Sequence, residues 1–208
     1  MSRSIRSQIF IIIHTVYHHI YKLALAIKEG VEKVDNVEVS IFQVPETLSQ
    51  EILDKMHAPP KPDIPVITPE LMEEADGLIF GIPTRYGAMP GQWRAFWDAT
   101  GAFWARGAYA KKMATFFFST ASQHGGQETT ALTSLTTLTH HGIIYVPLGF
   151  TSPHLSDNSE VIGGSAYGAG TIANGDGSRM PSAKELEVAV HQGEYFTSIV
   201  AQYVRGRE

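Results

Sequence analysis

Residues 9–13 (IFIII) are apolar without alternation, rich in β-branched side chains and too short for a helix. That is the pattern of a strand buried on both faces. A polar break over 14–19 follows, and then a helical pattern that puts Ile20, Leu23, Ala24, Ile27, Val31 and Val34 on one face. Residues 37–44 alternate and predict a second strand, 77–82 (GLIFGI) a third, 112–120 (KMATFFFST) a fourth and 143–148 (IIYVPL) a fifth. Between them lie helical patterns over 92–103 and 127–141, the latter closed by Gly142, and a short one over 69–75. A final helix spans 182–204, with Ser182 and Glu185 spaced as a capping box. Strands alternating with helices predict an α/β domain with a parallel sheet covered on both faces.

Two stretches break the alternation. Residues 45–69 are proline-dense with a helical turn or two over 48–56, and residues 149–181 are glycine-rich. Both are longer than strand-to-helix connections need and read as surface excursions. Residues 1–7 read as a short leader. No internal repeat or second domain shows, so residues 1–208 are expected to form one domain.

Composition narrows the classes. The 208 residues have no cysteine, which excludes a disulfide framework, cysteine-ligated zinc and thiol catalysis. Net charge is −5, with no basic block of the kind that binds nucleic acid. No apolar run approaches membrane-spanning length, so no integral membrane association is expected. A cytoplasmic location fits.

In a doubly wound sheet, ligands bind at the carboxyl ends of the strands. Three loops fall there: 14–19, 83–91 and 119–126. The first offers Thr15, Tyr17, His19 and the amides of a helix N-terminus, which suit a phosphate. It has neither GxxxxGK[ST] nor GxGxxG. The histidines His14, His18, His19 and His124 have no carboxylate at ligand spacing, so no metal site is expected.

Longer motifs carry a resemblance. They include Y-x-H-I at 17–20, FQVPET at 42–47, FGIPTRYG at 80–87 and FWDATGAFWARGA at 96–108. HGGQETT at 124–130, TLTHHGIIYVPLG at 137–149 and GGSAYGAGTIANGDGSRMPS at 163–182 continue the series. In order and spacing they resemble the WrbA-type NAD(P)H:quinone oxidoreductases, particularly the fungal flavodoxin-like members. The resemblance implies a flavodoxin-like fold, a five-stranded parallel sheet in the order 2-1-3-4-5. It also implies non-covalent FMN, two-electron reduction of quinones by NADH or NADPH, and a homotetramer built as a dimer of dimers.

By resemblance the phosphate loop is Thr15, Val16, Tyr17, His18, His19 and Ile20, with Tyr17 also linked to nicotinamide binding. The flavin-edge loop is Pro83, Thr84, Arg85 and Tyr86. The second flavin loop is Ser119, Thr120, Ala121, Ser122, Gln123 and His124. His140 falls on the flavin-side histidine and Trp104 on a substrate-side aromatic. Tyr86, Trp104 and His140 are then expected to wall the quinone site.

The family's loop usually has glycine where this chain has His18, and tyrosine where it has His14. A second reading therefore runs alongside: a paralogue with weakened FMN binding, serving as a scaffold or regulatory protein. His18 favours it, and the intact PTRYG and HHG loops argue against it. A bare FMN electron carrier is a third reading, which the long excursions fit less well.

Overall fold

The computed structural model describes residues 6–207. Strands β1 (Ser7–Ile13), β2 (Val37–Gln43), β3 (Gly77–Pro83), β4 (Met113–Thr120) and β5 (Ile144–Tyr145) form a parallel sheet ordered β2-β1-β3-β4-β5. This is the expected flavodoxin-like order. Of the expected leader, residues 1–5 lie outside the described residues, and Ser7 already pairs with Val37 in the ladder.

Period two along the strands sorts the core into two layers. Phe10, Ile12, Phe80, Ile82, Phe116 and Phe118 face one way, against Trp93 and Phe96 of α4 (Gly91–Asp98) and Ala131 and Leu138 of α6 (Gln127–His141). Ile9, Ile11, Ile13, Ile79 and Phe117 face the other, against α1 (His19–Val31) and α7 (Ala183–Arg205). Burial on both faces is why these strands read as unbroken apolar runs. The helices α1 and α7 touch backbone to backbone. A Cβ on Gly30 would lie 1.9 Å from the Val190 carbonyl oxygen, and one on Gly193 would lie 2.1 Å from that of Ile27.

The expected helix over 92–103 is two helices, α4 and α5 (Gly101–Ala105). Thr100 separates them, its hydroxyl donating back to the Trp97 carbonyl at 2.6 Å. Val34 lies beyond the end of α1 and is half-buried.

Both excursions are corrected in part. The expected fifth strand over 143–148 pairs only at Ile144 and Tyr145, with one more ladder bond from Val146 N–H to the Ala114 carbonyl (2.8 Å). The next acceptor along β4, the Phe116 carbonyl, is taken instead by Gln192 Nε2 (2.7 Å). The rest of that position is taken by β6 (Gly170–Ile172), from within the glycine-rich excursion, which pairs with β4 from Phe118 to Thr120. Residues 149–181 are thus not purely surface, since Ala169, Thr171 and Ile172 are buried. Within residues 45–69, α2 (Gln50–Lys55) is capped by Ser49. Val66 bridges to Gln43 and Ile67 is buried, so this excursion returns to the sheet. α3 (Pro69–Met72) follows, capped by Thr68.

Candidate functional site

The turn after β1 leaves its amides open. His14 N–H donates to the Gly81 carbonyl (3.2 Å), and the next amide with an acceptor is Lys22 N–H, on the His18 carbonyl (2.9 Å). Among the described residues, the amides of residues 15–21 have no acceptor. Such a cluster at a helix N-terminus is a cradle for an anion.

His18 precedes α1 in the left-handed region, at φ 68° and ψ 0°. A non-glycine residue held there costs about 1–2 kcal/mol. Its ring turns outward and donates from Nε2 to the Pro60 carbonyl (2.9 Å), and the Tyr17 hydroxyl donates to the Met56 carbonyl (2.9 Å). Buried His19 has Nε2 3.1 Å from the Gly177 carbonyl. Burial lowers its pKa, with the carbonyls of Gly177 and Arg179 acting against that.

The second and third loops brace each other. Thr84 N–H donates to the Ser119 carbonyl (2.9 Å), and the hydroxyls of Thr84 and Thr130 are paired. A Cβ on Gly126 would lie 2.8 Å from the Gly87 Cα. Tyr86 (φ 53°) and Gly87 (φ 74°) form a two-residue turn closed by the Arg85–Ala88 bridge. That turn holds the Tyr86 ring fully in solvent.

These loops enclose a cleft of about 400 Å³. Of the residues expected, Thr15, Val16, Tyr17, His19 and Ile20 line it, with Pro83, Thr84 and Arg85, and Ser119, Thr120, Ala121 and Ser122. Gln123 and His124 line an adjoining cavity of about 430 Å³. His18 and Tyr86 line neither. Residues 173–177 form a wall of the cleft that sequence reading missed. The only signal was their place in the glycine-rich motif, and no local pattern brings them beside residues 15–20.

His140 and Trp104 are elsewhere. α6 starts at the cleft edge, beside Gly87, and runs about 20 Å away from it over fifteen residues. It ends at the amino edge of the sheet, where Gly142 accepts from Lys111 N–H at 2.9 Å. Trp104 lies at that same edge, its N–H on the Thr100 carbonyl, while the Thr100 hydroxyl pairs with His141 Nε2 at 3.0 Å. His140 and Trp104 are both exposed. His141 is buried against Trp97 and Tyr109, and burial lowers its pKa. One chain therefore does not bring His140 and Trp104 to its own cleft.

Behind the first loop is a partly buried polar group. Glu46 accepts from Lys61 Nζ (2.6 Å), Gln92 Nε2 (2.7 Å) and the amides of Thr47 and Leu48. Burial opposes its charge, but these bonds outweigh it and hold its pKa down at about 2. His14 Nε2 is buried without a partner. Burial lowers the His14 pKa to about 4, opposed by Glu46 and aided by Lys61 and Arg85.

Comparison with known proteins agrees with this arrangement. Residues 13–155 match the NADPH-dependent FMN reductase family. The chain is 56% identical to the quinone-oxidoreductase QR2 of Triphysaria versicolor, over 93% of this chain and 95% of that one. It is 50% identical to the NAD(P)H quinone oxidoreductase PST2 of Candida albicans, over 95% and 98%. A solved WrbA-like flavodoxin from Agrobacterium tumefaciens shares the fold, with TM-score 0.62 and 22% identity over 94% of this chain and 98% of that one. With the strand order, the open amides and this identity along nearly its whole length, the chain belongs to the NADPH-dependent FMN reductase family, among relatives named as NAD(P)H quinone oxidoreductases.

Proposed function

We propose that this protein is an NAD(P)H:quinone oxidoreductase that holds FMN in the cleft at the carboxyl edge. The observation that carries this reading is the run of unmatched amides over residues 15–21, inside a cleft bounded by three strand ends. The residues present fit the cofactor. Those amides and the Thr15 hydroxyl suit its phosphate, and the loops ending β3 and β4 flank the place for its ring system. FMN, when bound, supplies the two-electron redox chemistry.

The protein's part is to bind, orient and charge-balance. Arg85, whose guanidinium folds back on the Thr84 carbonyl (2.8 Å), puts positive potential beside the second loop. Nicotinamide and quinone take the same open place in turn, which makes the kinetics ping-pong. A wall of Tyr86, Trp104 and His140 suits a planar quinone, and His140 can donate to the quinone oxygen. Because Trp104 and His140 lie at the amino edge, they serve only if a second copy presents that edge to this cleft. A homotetramer, as a dimer of dimers, supplies such a copy. Among the described residues no helix is long and apolar enough to cross a membrane, and we place the enzyme in the cytoplasm.

Titrating FMN-free protein and following flavin fluorescence tests the reading. Saturation at one FMN per chain is expected, and no saturation at millimolar FMN defeats it. The second reading, a scaffold with weakened FMN binding, is favoured by the strained backbone of His18, and the same titration decides between them.

A further inference from the structure

Residues 173–177 start where β6 ends. Ala173 N–H donates to the Thr120 carbonyl (2.8 Å), so the segment springs from the end of β4 beside the third loop. Asn174 (φ 65°) and Gly177 (φ 73°) fold it tightly, with Gly177 N–H on the Asn174 carbonyl (3.2 Å). Arg179 N–H returns to the Ala173 carbonyl (3.0 Å) and closes the loop. The Asp176 carboxylate is occupied by Ser178 N–H (3.0 Å). Among the described residues, the amides of Asn174 and Gly175 have no acceptor, as in the turn after β1, while that of Asp176 faces its own carboxylate.

Two anchors hold this loop. On one side Arg179 pairs with Glu185, whose side chain is wholly buried (2.9 Å). On the other, His19 reaches across from the first turn of α1 to the Gly177 carbonyl. A carbonyl only accepts, so His19 Nε2 carries the proton of that bond. An Nε2–H occupied in this way is not free for a phosphate.

We propose that residues 173–177 are a fourth cofactor-binding loop, and that His19 is the positioning residue that latches it to the phosphate turn. The ligand half of this rests on the FMN reading, while the latch itself does not. The loop adds open amides to the cradle from a part of the chain 158 positions away from His19. Its tip also has room, since a Cβ on Gly175 meets nothing within 4 Å.

Amide hydrogen exchange on the full-length FMN-free protein tests the latch. In His19→Ala, the bonded amides of Ala173, Gly177, Ser178 and Arg179 should exchange about tenfold faster, the size of one lost hydrogen bond, while β3 is unchanged. His19→Gln, which keeps a donor, should recover most of the protection. Unchanged exchange in His19→Ala overturns the latch. Gly175→Leu tests the ligand half without touching the latch. FMN should bind about tenfold more weakly or worse at an unchanged melting temperature, given bulk on the cleft wall. Equal FMN affinity in Gly175→Leu removes the loop from the site. Failure of the unaltered protein to bind FMN would end the FMN reading and the ligand half with it, and the exchange result would still decide the latch.

Discussion

The two excursions at the carboxyl edge are held by opposite means. The glycine-rich one is tied from inside. The buried Glu185 carboxylate accepts from Gly163 N–H (2.8 Å), the Thr171 hydroxyl (2.8 Å), Ser182 N–H (2.8 Å) and Arg179. Arg179 in turn donates to the carbonyls of Ile172 (2.7 Å) and Val161 (3.1 Å). The tip of the proline-rich excursion is tied from outside, by exposed Tyr17 and half-buried His18 reaching to the Met56 and Pro60 carbonyls. A bond sealed from water keeps its strength, whereas one in solvent competes with water at each opening. The inner lock therefore fixes a wall, and the outer clasp leaves a wall that can yield.

Glu185→Ala should sharpen this contrast most. It strands Arg179 and several amides, and is expected to cost about 3–5 kcal/mol in denaturant unfolding. A loss below about 1 kcal/mol would mean the lock is not what holds the excursion.

The next effect is set by acid. The unfolded chain protonates His14 near 6.5, whereas the folded chain does so only near 4. Stability is whole above pH 6.5, falls as pH drops through that window by about 3 kcal/mol, and is level in this respect below it. Glu46 adds a further loss from about 4.5 downward, since folding depresses its pKa to about 2. His14→Phe should flatten the profile between pH 6.5 and 4 in thermal melts. An unchanged slope in that variant would assign the acid loss to other groups.

The smallest effect belongs to the clasp. His18→Gly relieves about 1–2 kcal/mol of left-handed strain and removes one exposed hydrogen bond of about 1 kcal/mol. Net stability should move by less than about 1 kcal/mol. Trypsin should nonetheless cut faster after exposed Lys55, because the excursion has lost a tie. Equal cutting would show that the His18 tie is dispensable beside those of Tyr17 and Lys61.

These tests bear on parts of the molecule that differed in how well the sequence announced them. β1, β3 and β4 were plain because strands buried on both faces leave long apolar runs. β6 was not. It is a three-residue strand in a glycine-rich stretch, and only its pairing with β4 makes it one. The thirteen cleft residues supplied by the loops after β1, β3 and β4 follow from strand ends alone. Residues 173–177 do not, because their contact with His19 is tertiary. The backbone of His18 was legible through the glycine it replaces, while the direction of its ring was set by Pro60, far along the chain. The distance of His140 from the cleft was implicit in the element order. A helix that follows a carboxyl-edge loop must end at the opposite edge, and a motif match carries no such direction.

The close approach of α1 and α7 at Gly30 and Gly193 has a consequence for how the chain is made. α1 emerges from the ribosome well before α7, yet each needs the other's backbone within touching distance. Until α7 arrives, Ile9, Ile11, Ile13 and the inner face of α1 lack Val188, Phe196 and Val200 as cover. Synthesis at about 5–20 residues per second leaves that apolar face open for several seconds or more. The nascent protein is most exposed to aggregation until α7 emerges, and that helix closes this side of the sheet in a long-range step.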